Sequence, residues 1–398
     1  MTLPGRRTTP PPAEDLTTPA RRDTSPAADP QPPGPHRHPA TLPVPRAVAL
    51  LLALGAVGFM LALSPRQPAP PRSAEPALAE AYPGAVAQDT PGTLADGSAY
   101  TPVYFLSATG SVGTALSPGG ADVRLLLRDR GVERELRRMP KDTAAEFAGF
   151  TSDGTIVAWV ELSSDADGAG RSGVWTARLD GGAPRLVTED TGLVMLFDKQ
   201  GDLVLHDGQL SWMADVGKPG VSAIYTVPVA GGRPVVREMT GGYAISAWPW
   251  LVSEPVADAG SIELTNPQTA ERVLVGVQSG ELMSCSAVWC RSLIIGSTEA
   301  STVIELLRPD GSERVRTVTG AVSSAIADVA VLDRFEVYTR STQGLTTTRV
   351  MLYDLKTRTL SLVTANAGRI ACRGGVLWWS TGDNETLTWH AIDLRELP

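Results

Sequence analysis

Few residues in this chain are suited to chemistry. Cys285 and Cys290 stand with four residues between them in the run ELMSCSAVWCRSL at 281–293, with strand-like sequence on both sides. If the first ends one strand and the second begins the next, their Cα atoms fall near ~5.5 Å, the separation a disulfide requires. Two buried thiols are the rival state; a location outside the cytoplasm permits the bond. Cys372 occupies a matching place, since Ala371-Cys372-Arg373 aligns with Ser284-Cys285-Ser286 and both precede an apolar strand. It is expected to face the core as a small hydrophobe with a free thiol. Three cysteines without a neighbouring histidine do not make a zinc site.

Histidine is scarce. His36 and His38 fall in a proline-rich tail, and His206 and His390 are isolated in strand-like runs, so each reads as a half-exposed strand residue. No G-x-S-x-G elbow is present, which argues against a Ser-His-Asp hydrolase of the α/β pattern. Ser163, Asp165, Asp167 and Gly168 occupy positions 1, 3, 5 and 6 of a calcium-type loop, but Val174 stands where the bidentate Glu belongs, so the stretch reads as a hairpin loop. Trp248-Pro249-Trp250 and Trp378-Trp379 are the densest aromatics. Such rings pack between structural units or offer a stacking surface, and Trp248 and Trp250 are the better candidates for a binding surface because Pro249 constrains the backbone between them. No catalytic residue, metal ligand or cofactor site emerges.

The elements that position these residues are short strands. Proline marks where order begins: 20 of the 32 prolines lie in residues 1–92, and all nine tryptophans lie at or beyond Trp159. Residues 1–46 are rich in Pro, Thr and Arg and cannot bury enough apolar surface to offset their ordering entropy, so a disordered tail is expected. Residues 47–63 carry no charge and reach ~25 Å as a helix, the short end of what crosses a bilayer. The long preceding segment and the length of the run favour a retained anchor over a cleaved signal. Six arginines precede the run and only Arg66 and Arg72 follow closely, which places the tail in the cytoplasm and the rest outside. Residues 64–95 read as a Pro/Ala-rich linker. The net charge of −8 has no basic stripe, which argues against nucleic acid as a partner.

Residues 96–398 alternate strand-like runs with turns. Turns centred on positions 130, 181, 231, 267, 311, 356 and 393 recur at steps of 51, 50, 36, 44, 45 and 37, averaging close to 44. That spacing fits the ~40–45 residues of a four-stranded propeller blade. A similar strand precedes each turn, among them Val174-Trp-Thr-Ala-Arg178 and Thr302-Val-Ile-Glu-Leu306. The expected fold is therefore all-β, a β-propeller of seven four-stranded blades, with a β-sandwich or two smaller β domains as the rival. The chain stops just after the seventh such strand, so one outer strand must come from elsewhere, and residues 85–107 are the candidates.

The stretch 148–189 resembles the repeat of TolB-like propellers: Ser152-Asp153-Gly154 before an apolar strand, then Asp180-Gly181-Gly182 followed by Pro184, Leu186 and Thr188. Echoes occur at Ser117-Pro118-Gly119-Gly120, Gly231-Gly232-Arg233-Pro234 and Asp310-Gly311. The anchored, Pro/Ala/Arg-rich build is similar to membrane-tethered propellers of this type from high-GC Gram-positive bacteria. No Glu, Asp or His recurs at one register of the blades, so the expected function is a non-enzymatic module of the cell envelope, a monomer that binds an envelope protein or ligand. The alternative is a lactonase- or lyase-like propeller enzyme with a metal in the central channel, which paired inner-strand carboxylates or histidines from several blades would favour.

Overall fold

Strands rich in β-branched and aromatic residues, punctuated by turns that demand positive φ, organise the chain into sheets. The computed structural model describes residues 75–253, 260–298, 301–341 and 348–398. These form seven antiparallel sheets arranged as the blades of a propeller. Blade 1 is typical: Thr101–Phe105 is innermost, followed outward by Gly110–Leu116, Asp122–Asp129 and Val132–Pro140. Blades 2 to 6 follow in chain order and span residues 146–188, 193–240, 243–276, 281–319 and 323–367. Every strand singled out ahead of a turn is the third strand of its blade. The twin-glycine turns hold Gly181 and Gly182 at φ of 138° and 90°, and Gly231 and Gly232 at 90° and 131°, a region that side chains with a Cβ avoid.

Blade 7 closes the ring. Its inner three strands are Ile370–Arg373, Val376–Thr381 and Thr388–Asp393, and its outer strand is Gln88–Pro91. That strand runs antiparallel to Thr388–Asp393, with Gln88 opposite Ala391 and Pro91 opposite Thr388. The outer strand thus comes from within the expected 85–107 window.

The segment before it differs from the expected linker. From residue 75 onward the chain lies on the propeller. Leu78–Ala81 is one helical turn, and Leu78 and Tyr82, four residues apart, are buried against Val337, Val350 and Leu352. Their spacing puts both on one face of the turn, a feature the surrounding Pro/Ala composition hides. Glu75 pairs with Arg340 at 2.7 Å and Arg349 at 3.1 Å. Residues 1–74, including the expected tail and the apolar run 47–63, lie outside the described residues; among the described residues no helix is long and apolar enough to cross a membrane.

Arginines tie neighbouring blades. Arg134 on the outer strand of blade 1 donates to the carbonyls of Arg178 (2.5 Å) and Gly182 (3.3 Å) at the blade 2 turn. Arg185 of blade 2 donates to Ala230 (2.8 Å) and Val229 of blade 3, and Arg237 of blade 3 to Pro267 (2.5 Å) of blade 4. Arg137 reaches from blade 1 to Glu161 of blade 2 at 2.7 Å and lies 3.9 Å over the Trp175 ring. Between blades 5 and 6, Arg291 pairs with the fully buried Glu336 at 3.0 Å. In blade 6, Arg334 forms a two-pronged pair with Asp354 (3.0 and 2.8 Å) and donates to the Leu397 and Pro398 carbonyls, while the Tyr82 hydroxyl donates to Asp354 at 2.5 Å. Burial alone would raise the Asp354 carboxyl, but the bonds from Arg334, Tyr82 and the Lys356 N–H outweigh it and hold it at about 2.

Two outcomes follow from this framework. Tyr82→Phe should destabilise the propeller by about 1.5–3 kcal/mol in urea melts at pH 7, the range for a hydrogen bond to a charged group. Because Asp354 is depressed, its contribution is present above its ordinary value of 3.8 and is lost as pH falls toward about 2, so the deficit of Tyr82→Phe should shrink over that interval; a deficit unchanged by acid argues against the Asp354 link. Arg291→Ala should cost about 3–5 kcal/mol by stranding the Glu336 carboxylate, and the joint Arg291→Met, Glu336→Met variant should recover most of it. A single variant within 1 kcal/mol of the parent in the same melts (roughly the size of an exposed pair) would remove the buried pair from the account.

Candidate functional site

The channel is lined by the innermost strands, and two of them are interrupted. In blade 3 the inner position is shared by Leu193–Val194 and Val204–His206, both paired with Gln209–Asp215. In blade 6 it is only Ser323–Ser324, after which the chain wanders until Phe335–Ser341. The extra chain in both blades enters the channel.

Local chemistry folds the blade 3 insertion, residues 195–203. Asp202 accepts from the Phe197 N–H (2.9 Å) and the Lys199 N–H (3.1 Å), closing a single 3₁₀ turn at Gln200–Asp202. Gly201 presses on blade 4 so closely that a Cβ there would stand 2.0 Å from the Ile245 carbonyl oxygen. Arg291 shapes the blade 6 insertion by donating to the carbonyls of Asp328 (3.0 Å), Ala327 (3.2 Å) and Ile326 (3.3 Å). Glu336 adds to this by accepting from the Ala330 N–H at 2.7 Å.

The two insertions meet in mid-channel. The Gln200 N–H donates to both carboxylate oxygens of Asp328, at 3.3 and 3.2 Å. The Gly374 N–H of blade 7 donates to Gln200 Oε1 at 3.1 Å, and Arg373 pairs with Asp198. Burial pushes Asp328 up to about 6, against the pull of the Gln200 N–H, Lys199 and Arg373, while Asp202 adds to the rise. Burial also raises Asp202.

A cavity of about 770 Å³ lies against this layer, between the inner strands of blades 1, 2, 6 and 7. Phe147, Phe150, Ile326, Ile370 and Trp378 supply much of its apolar wall, and Glu146, Asp198, Asp328, Arg369 and Arg373 its charge. A second cavity of about 310 Å³ touches blades 3 to 6 and includes Lys199, Trp248, Cys285 and Asp333. Asp328 is on the wall of both. Among the described residues no group of three or more His, Cys, Asp or Glu lies close enough to hold a metal ion.

The residues singled out from sequence are dispersed. Cys285 and Cys290 are cross-strand partners joined by a disulfide, with Cα atoms 4.0 Å apart, at the end of a hairpin bordering the smaller cavity. Cys372 is a free, buried thiol whose pKa burial raises strongly. Trp248 and Trp250 are half-buried: Trp248 stacks on His206 at 4.3 Å on the wall of the smaller cavity, and Trp250 packs into the core between blades 4 and 5. Of the pair, Trp248 is the one on the wall of one of these two cavities. Trp378 is buried beside Phe105 at 5.2 Å. His390 bonds Asp89 (2.7 Å) on the closing strand and Thr381 (2.7 Å). The stretch 163–168 is a hairpin turn, with Asp165 accepting from the Asp167 and Ala169 N–H groups. Sequence reasoning missed Gln200, Asp328 and Arg373; the step of 50 residues between the turns at 181 and 231 spans Gln200 alone and is no longer than the 51-residue step before it.

No protein-family model matches the chain, and no curated protein does. Solved structures with a similar course of chain include an oligogalacturonate lyase from Vibrio parahaemolyticus, 9% identical over 78% of this chain and 98% of that one, with a TM-score of 0.48. The β-propeller domain of the Trilobed protease from Pyrococcus furiosus is 11% identical over 62% and 82%, with a TM-score of 0.43. TolB from Acinetobacter baumannii is 10% identical over 65% and 64%, with a TM-score of 0.34. At these levels the likeness goes no further than the propeller.

Proposed function

We propose that the chain is a membrane-anchored propeller held outside the cytoplasm that binds a protein or ligand of the cell envelope without catalysing a reaction, and that the larger channel cavity is the binding site. The cavity itself carries this reading. At about 770 Å³ it is within the size range of small-molecule sites, and it joins an apolar wall to a few charged groups. Of Glu146, Asp198 and Asp328, the last two are already engaged, by Arg373 and by the Gln200 N–H. Held in this way, these groups can orient a ligand. The uncharged run 47–63 and the arginines before it support anchoring with the propeller outside.

The second reading, a propeller enzyme with a channel metal, rests on Glu146, Asp198 and Asp328 lining one cavity, although the three do not stand close enough together to form a metal site by themselves. The two readings separate on metal binding. Divalent manganese or calcium at 100 times its dissociation constant stabilises a protein by about 2.7 kcal/mol, a shift of several degrees in Tm. The enzyme reading expects such a shift, abolished in Asp328→Asn; the binding reading expects none.

The binding reading has its own test. A photo-reactive side chain in place of Arg369, at the cavity, should cross-link one dominant partner in intact cells, and one in place of Val132, on the outer edge of blade 1, should not. Cross-linking from Val132 alone would sink the channel as the site. Removal of residues 47–63 should move the propeller from the membrane fraction to the soluble one; retention in the membrane counts against the anchor.

A further inference from the structure

The two insertions meet where the two cavities share lining residues. Residues 195–203 leave blade 3, pass Gly149 of blade 2 through Leu196 and Leu203, press Gly201 on blade 4, and reach Asp328 of blade 6 and Arg373 and Gly374 of blade 7. One segment therefore touches four other blades. The bonds reaching blades 6 and 7 are side-chain or single-amide contacts outside any sheet ladder, and Asp198 is largely exposed. Segments held this way open at lower free energy than sheet strands. Asp328 lines both the cavity of about 770 Å³ and that of about 310 Å³, and the segment itself reaches both, Asp198 at the larger and Lys199, Gln200 and Gly201 at the smaller.

We propose that residues 195–203 form a strap that closes the channel between two chambers, and that the proton on Asp328 sets how firmly the strap is held. Several charged and titratable groups surround Asp328. Asp198, Lys199 and Asp202 belong to the strap, Arg373 and the Cys372 thiol to blade 7, and Arg291 to blade 5. Asp333 and Glu336 come from its own blade, the latter paired with Arg291. With the strap in place, burial outweighs the cations and Asp328 sits at about 6. With the strap lifted, water reaches the carboxylate and it returns toward its ordinary 3.8. Closure therefore takes up a proton. Acid below about 6 favours the closed strap, and raising the pH through that value favours the open one. From these two values the open-to-closed ratio rises about tenfold between pH 5 and pH 7.5. Opening joins the chambers along the axis and lengthens the space open to a ligand.

Hydrogen exchange tests this on the intact propeller without any ligand. After division by the intrinsic chemical rate at each pH, exchange at the amides of residues 199–203 should rise about tenfold between pH 5 and pH 7.5. Amides in the sheet strand Ile156–Ser164 should not follow. In Asp328→Asn, which cannot ionise at this position, strap exchange should lose most of that rise, with Asp202 the remaining buried acid of the strap, and be slower than the parent's at pH 7.5. A flat profile in the parent, a parallel rise in the sheet strand, or an unchanged rise in Asp328→Asn would each overturn the proposal. Should the variant fail to fold, the parent's strap-against-sheet comparison decides alone.

Discussion

Ring closure is the constraint on which everything else rests. Each blade buries both faces only against its two neighbours, so an open stack would leave two apolar faces in water. Four residues, Gln88–Pro91, remove that penalty by completing blade 7 with chain that precedes blade 1. The seam is reinforced where the polypeptide approaches it. Leu78 and Tyr82 extend the blade 6 core outward, the Trp389 indole N–H donates to the Tyr100 carbonyl at 3.0 Å, and Arg395 of blade 7 donates to the Leu106 carbonyl of blade 1 at 2.9 Å. The same Arg334 that pairs with Asp354 holds the last two carbonyls of the chain.

A closed ring leaves the channel as the place where chain can be spared for something other than packing. Blades 3 and 6 use it, giving up inner-strand pairing and placing polar loops in the space. The exchange is possible because the outer three strands of each of these blades stay paired, unbroken in blade 3 and with irregularities around Val350 in blade 6. The inserted chain still has to satisfy its polar groups. Arg291 and Asp202 do this locally, and Asp328 and Gln200 do it across the axis. Specific chemistry in this molecule therefore gathers where regular pairing stops.

The architecture was legible in the sequence and the channel was not, for a physical reason. Hairpin turns impose a local demand for positive φ, which glycine meets at 131, 181, 182, 231, 232 and 311, so the period of the blades is written in single residues. Blade 4 and blade 6 meet the same demand with Ala270 and Arg358, which is why their turns were weaker signals. The cysteine pair was legible because its partners are close in sequence. The Asp328–Gln200 and Gly374–Gln200 contacts join positions 128 and 174 residues apart, and no periodicity or motif links such residues. The tryptophans are legible only in part: aromatic density marks burial, and Trp250 packs into the core, Trp378 and Trp248 into cavity walls, while a lone carboxylate from a Ser-Ala-Ile-Ala-Asp loop reaches across to Gln200.

The closing strand has a consequence for how the molecule comes into being. Asp89 and His390 are hydrogen-bonded neighbours separated by 301 positions. A ribosome must therefore deliver nearly the whole propeller before Gln88–Pro91 finds its mate. Until then it waits as a lone edge, the kind of segment that recruits other chains. Its brevity, its Gln-Asp-Thr-Pro composition and the missing amide hydrogen of Pro91 make it a poor template for strangers during that wait. The arginine-to-turn links wait far less, since each turn follows its arginine by only 30 to 45 residues, so blades 1 to 4 can lock in order of synthesis while the seam is left for last.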